Sequence, residues 1–84
     1  MIVPTKSING DLALLTIGAQ ILQKLEVPTT VNTLWDRVTE LRTHQGSPSA
    51  LPFWWFALAL DLLYAVGAVE IIDGEVVRGS VARA

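Results

Sequence analysis

The chain has 84 residues, a length that supports one domain around one hydrophobic core. It contains no cysteine and one histidine, His44, which excludes disulfide bracing, thiolate metal sites and any histidine-rich ligand set. The net charge is −2 at pH 7, with the Lys and Arg residues dispersed singly, which argues against the dense basic surface that phosphate binding uses.

Hydrophobic residues make up 51% of the chain and charged residues 17%, where ordinary domains carry about 25% charged. A small domain with so few charges leaves apolar surface uncovered until a partner covers it. The acidic residues lack the spacing of a calcium loop, and no glycine run is followed by Lys-Ser or Lys-Thr. No cofactor, metal or nucleotide is expected on this chain, and no catalytic residue is assigned.

The first predicted element runs over about 7–25, capped by Ser7 or Asn9. Ile8, Leu12, Leu15, Ala19 and Leu22 line one face at helical spacing, and Leu14, Ile17, Ile21 and Leu25 line another. A helix apolar on two faces is central in its domain or shared with a partner. Gly18 leaves room for another helix to approach, and Val27-Pro28 closes the segment.

The second helix is predicted over 31–42 with Thr30 as N-cap. Val31, Leu34, Trp35, Val38 and Leu41 form one apolar stripe opposite Asn32, Asp36, Arg37 and Glu40. The turn-rich segment from Thr43 to Pro48 follows. The third helix is predicted over 52–66, with Pro52 in its first turn and Gly67 as its left-handed stop.

Asp73-Gly74 between Val69-Glu70-Ile71-Ile72 and Glu75-Val76-Val77-Arg78 predicts a type I′ hairpin over about 68–78, pairing Ile71 with Val76 and Val69 with Arg78. Val3-Pro4-Thr5 is a candidate third strand, and the tail 79–84 is expected to fray. Three helices followed by a hairpin is the order of a winged helix, an α+β fold that is mainly α, occupying 1–84 as one domain.

The stretch from Ala50 to Val69 is apolar enough to raise a membrane span. Asp61 near its centre costs about 2.5–3.5 kcal/mol on insertion, and Pro52 and Gly67 shorten the usable helix, so a buried helix is expected instead. Met1 to Lys6 lacks the basic region and apolar run of a signal peptide. The cysteine-free composition is compatible with the cytoplasm, which is the expected location.

Four consecutive aromatics, Phe53, Trp54, Trp55 and Phe56, cannot all enter one core, because successive helical residues point about 100° apart. They are candidate partner contacts, with Arg78 on the wing. Asp61 among leucines requires a hydrogen bond or an ion pair if buried, with Arg37, Arg42 or Arg78 as candidate partners. His44 lies in a polar loop, and nothing beside it completes a triad.

The block Leu60-Asp61-Leu62-Leu63-Tyr64…Gly67-Ala68…Glu70, with Asp73-Gly74 and Arg78, resembles the middle components of ABC-three-component systems, most closely their sixth family. The Leu/Ile-rich first helix and the Thr33-Leu34-Trp35 helix fit the same resemblance. It implies a bacterial winged-helix middle subunit that works beside an SMC-like ABC ATPase and an effector-linked component, in defence against phages and other mobile elements.

The expected function is therefore that of a non-catalytic adaptor bridging ATPase and effector by protein–protein contact, with a homodimer as a further possibility. The alternative is a winged-helix transcriptional regulator. It is disfavoured because the third helix has no Arg, Lys, Asn or Gln between Pro52 and Val66 to read base edges, so direct sequence-specific DNA binding is not expected.

Overall fold

The computed structural model describes residues 3–46 and 50–83, and side chains within 12–46 and 50–81. Its elements are α1 (Val3–Lys24), β1 (Thr29–Thr30), α2 (Val31–His44), α3 (Phe53–Ala65), β2 (Val69–Ile72), β3 (Glu75–Arg78) and the short α4 (Ser80–Arg83). The three strands form one antiparallel sheet in the order β1-β3-β2. The result is a mainly helical α+β, winged-helix-like layout.

Each element has a local cause. Thr30 ends β1 and also caps α2, its hydroxyl accepting from the Thr33 N–H at 3.3 Å. α3 starts after Pro52, whose extended backbone occupies the cap position without a side-chain bond. It stops where Gly67 turns to φ 82° and Ala68 N–H reaches back to Leu63 O at 2.8 Å, a Schellman-type closure. In the hairpin Asp73 and Gly74 take φ 52° and 79°, both left-handed as a type I′ turn requires. Ile71 pairs with Val76 and Val69 with Arg78, the register expected from the turn.

Several expectations are corrected. α1 begins at Val3, so Val3-Pro4-Thr5 is its first turn and neither Ser7 nor Asn9 stands at a cap. Proline is tolerated there because the first helical N–H groups have no partner in any case. The third strand is Thr29-Thr30, a β-branched pair that follows Pro28 and pairs with Val76 and Glu75. The tail does not fray at once: Gly79 N–H bonds Ala68 O at 2.8 Å and Ser80–Arg83 forms a helical turn. Ser47, Pro48 and Ser49 of the expected loop lie outside the described residues.

The core sits between the three long helices and the inner face of the sheet. Ile17, Ile21 and Leu25 enter from α1, Leu34 and Val38 from α2, Phe56, Ala59 and Leu60 from α3, and Val69 and Val76 from the hairpin. Phe56 is the largest side chain fully enclosed, and such burial contributes about 1.5–3 kcal/mol. At the α1–α2 seam, Arg42 Nη1 donates to Gln20 Oε1 and Gln20 Nε2 to Gln45 Oε1, both at 3.1 Å. The buried Arg42 Nε has no acceptor among the described residues.

Candidate partner-binding face

The two apolar faces of α1 meet different environments. Leu14, Ile17, Ile21 and Leu25 turn inward, while Leu12 and Leu15 remain 54% and 70% exposed and Ala19 is open to solvent. α3 repeats the division. Phe56, Ala59 and Leu60 are buried, and Trp54, Leu58, Leu62 and Val66 face outward. Where the outward margins of α1 and α3 run beside each other they leave a groove of about 610 Å³. Leu14, Leu15, Leu22, Leu62, Leu63 and Val66 form its walls, with Gly18, Ala19 and Ala59 completing the lining. Every one of these side chains is apolar.

The cause is visible in the residues. No charged residue occurs between Leu12 and Gln23, and Asp61 is the single one between Phe53 and Ala65. Helices of that composition cannot place a polar face toward water all round. One stripe of each fills the core, and the rest stays exposed among the described residues.

The four aromatics are divided by their helical positions. Phe56 is fully enclosed, so it is a core residue with no surface to offer a partner. Phe53 is half-exposed but packs edge-on against Trp35 at 5.1 Å, and Trp35 meets Phe56 at 5.2 Å, so the three rings tie α2 to α3. Trp55 is partly covered and rests on the core, whereas Trp54 is 61% exposed with its ring 5.0 Å from that of Trp55. The structure thus brings Trp54, and the open edges of Phe53 and Trp55, to the surface.

Arg78 is directed inward instead. Its Nε donates to Leu25 O at 2.8 Å and its Nη2 to Leu22 O at 2.6 Å. These carbonyls belong to the end of α1, where acceptors lack intrahelical partners and the helix dipole favours a cation. Arg78 is accordingly a cap that joins β3 to α1. Asp61 is the reverse case. It needs a partner only if buried, and it stands exposed on the outer side of α3. Among the described residues no cluster of three His, Cys, Asp or Glu side chains is gathered that could hold a metal ion, and no helix is long and apolar enough to cross a membrane.

Leu15 lies on one of the two α1 faces expected to be central or shared with a partner, whereas Leu58, Leu62 and Val66 are not marked as contacts by the sequence. The charge-free run in α1 is the signal for Leu15, and the stretch from Phe53 to Val66 with Asp61 as its only charge is that for Leu58, Leu62 and Val66.

The fold is winged-helix-like, with an apolar, open face between α1 and α3. The chain matches the family model described as ABC-three component (ABC-3C) system Middle Component 6 over residues 3–79, and it belongs to that family. No curated protein and no solved structure matches it.

Proposed function

We propose that this chain is the non-catalytic adaptor of its ABC-three-component system, holding an SMC-like ABC ATPase and an effector-linked component together by protein–protein contact in bacterial defence against mobile elements. Membership of the middle-component family supports a place in such a system. The observation that carries the adaptor reading is the open apolar face: Leu12, Leu15, Trp54, Leu62 and Val66 are each between 47% and 70% exposed. Apolar surface concentrated in this way marks an interaction site in a protein that must stay dispersed in water.

Trp54 is the anchor of this reading, flanked by the open edges of Phe53 and Trp55. Interface hot spots are enriched in tryptophan, tyrosine and arginine seated in a partner's pocket. The outer face of α3 presents Trp54, Leu58 and Asp61 where a DNA-reading helix would present basic and amide side chains, which disfavours the transcriptional alternative.

The test is a pull-down of the chain with the ATPase and with the third component of its own system. Trp54→Ala should keep the melting profile and weaken capture by about 2 kcal/mol or more, as hot-spot truncation does. Failure of the unaltered chain to bind either component would overturn the adaptor reading.

A further inference from the structure

We infer that the free edge of β2 takes an extended, basic segment of another component of the system, which pairs with Ile71 as a fourth strand; this rests on the adaptor reading, which needs a surface for each of two partners. β2 lies at the edge of the sheet, hydrogen-bonded to β3 alone. The register decides which of its backbone groups are free. In a two-residue hairpin the residues flanking the turn, here Ile72 and Glu75, exchange hydrogen bonds, and the exchange recurs at every second pair. It recurs at Glu70 and Val77 and reaches Ala68, whose O accepts from Gly79 N–H at 2.8 Å. The N–H and C=O of Ile71 therefore point away from β3, and they meet no partner among the described residues. Ile71 and Ile72 are 48% and 51% exposed, so this stretch of the edge is open, whereas Val69 is enclosed. β2 contains neither Pro nor Lys, two residues that commonly block such an edge. A backbone N–H and C=O at ladder spacing suit an extended chain and not a helix, whose own groups are already bonded.

The charge of the wing selects among extended chains. The hairpin carries Glu70, Asp73 and Glu75, and its one cation, Arg78, turns inward to Leu22 O and Leu25 O. Alternation puts Ile71 on the face of the buried Val76, and Glu70 and Ile72 on the opposite, exposed face. A strand bonded to Ile71 sets one residue across from Glu70 and one across from Ile72. Both are pairs without hydrogen bonds, in which side chains come closest. The segment that fits carries Lys or Arg across from Glu70 and apolar residues across from Ile71 and Ile72.

A second copy of β2 does not meet this requirement. Two-fold pairing about Ile71 sets Glu70 across from Ile72, and pairing of Ile71 with Val69 sets Glu70 across from Glu70. β2 offers no Lys or Arg in either register, and like charges directly opposite are destabilising. Charge complementarity therefore selects a basic strand of another protein over self-association.

The test adds the purified ABC ATPase and, separately, the third component to the full chain. Amide exchange is read residue by residue, and affinity by calorimetry at low and high salt, with sedimentation of the chain alone beside them. In the free chain Ile71 N–H should exchange fast, while Glu70 N–H, bonded to Val77, exchanges slowly. One component should bind and slow the Ile71 amide about tenfold or more. Ile71→Pro removes that N–H without touching the bonds between β2 and β3, and should weaken binding about tenfold or more. Glu70→Lys alters an exposed side chain, so it should keep the melting profile, weaken binding to a similar extent and reduce its salt dependence.

An Ile71 amide that exchanges equally fast in the unaltered complex overturns the edge pairing while leaving the adaptor reading intact, and it decides the matter even where Ile71→Pro disturbs the fold. Binding that is indifferent to both Glu70→Lys and salt overturns the basic segment. A dimer of the chain alone that Ile71→Pro dissociates makes the second copy the occupant. No binding by either component defeats both readings together.

Discussion

Phe56 and Trp54 stand two positions apart on α3 and have opposite surroundings. Phe56 is fully enclosed, so Phe56→Ala opens a cavity and should cost about 3–5 kcal/mol, read as a lowered denaturant midpoint. Trp54→Ala removes a ring that is mostly in water and should change stability by no more than about 0.5 kcal/mol in the same titration. At the hairpin tip, Gly74 holds φ 79°, a conformation that costs a side-chain-bearing residue about 1–2 kcal/mol. Gly74→Val should lower the thermal midpoint accordingly, and an unchanged midpoint would mean that the turn is not type I′ in solution. The Asp-Gly signal was legible in the sequence because turn chemistry is local. The environment of Asp61 was not, because leucine neighbours along the chain do not reveal which side of a helix meets the core.

Helix α1 shows how far periodicity reaches. Its two apolar faces are evident from spacing alone, but only packing decides that the Ile17-Ile21-Leu25 face is internal and the Leu12-Leu15 face is not. Gly18 belongs to the same helix. A methyl group there would meet Leu63 Cδ2 at 3.6 Å, an ordinary contact, so the site has room for alanine. Gly18→Ala should stabilise the isolated chain by about 0.5–1 kcal/mol through helix propensity, measured by urea titration.

The end of α1 depends on Arg78. Arg78→Met keeps the aliphatic stem and removes both bonds to Leu22 O and Leu25 O. Hydrogen bonds from a charged donor contribute about 1.5–3 kcal/mol, discounted here because the side chain is only half-buried. The expected signature is faster amide exchange at the last turn of α1 and in β3, with smaller changes in α2. Arg78 reads as a surface wing residue in the sequence, since nothing local marks a contact with a helix more than fifty residues earlier.

At the scale of the molecule, the order of helices and hairpin was readable because each is set by its own caps, period and turn. The strand β1 was not, because two threonines become a strand only when β3 is beside them. The candidate face was half readable. The surplus of apolar residues was evident from composition, whereas the groove needs α1 and α3 side by side. Leu15→Lys should raise the solubility limit of the isolated chain while leaving its melting temperature within a few degrees, since substitution of an exposed residue moves stability by about 0.5 kcal/mol or less. A large fall in melting temperature would place Leu15 in the core instead.

The bonds from Arg78 to Leu22 and Leu25 span 56 and 53 positions, and β1 likewise waits for Val76 and Glu75. During translation α1 and α2 emerge well before β3, so they can meet while both the cap of α1 and the partner of β1 are still inside the exit tunnel. Closure of the fold therefore waits for β3, however early the helices form. Ribosome-bound chains stalled with Arg78 still in the tunnel should be cut by added protease near 25–30, and chains extended by a linker that frees Arg78 should resist.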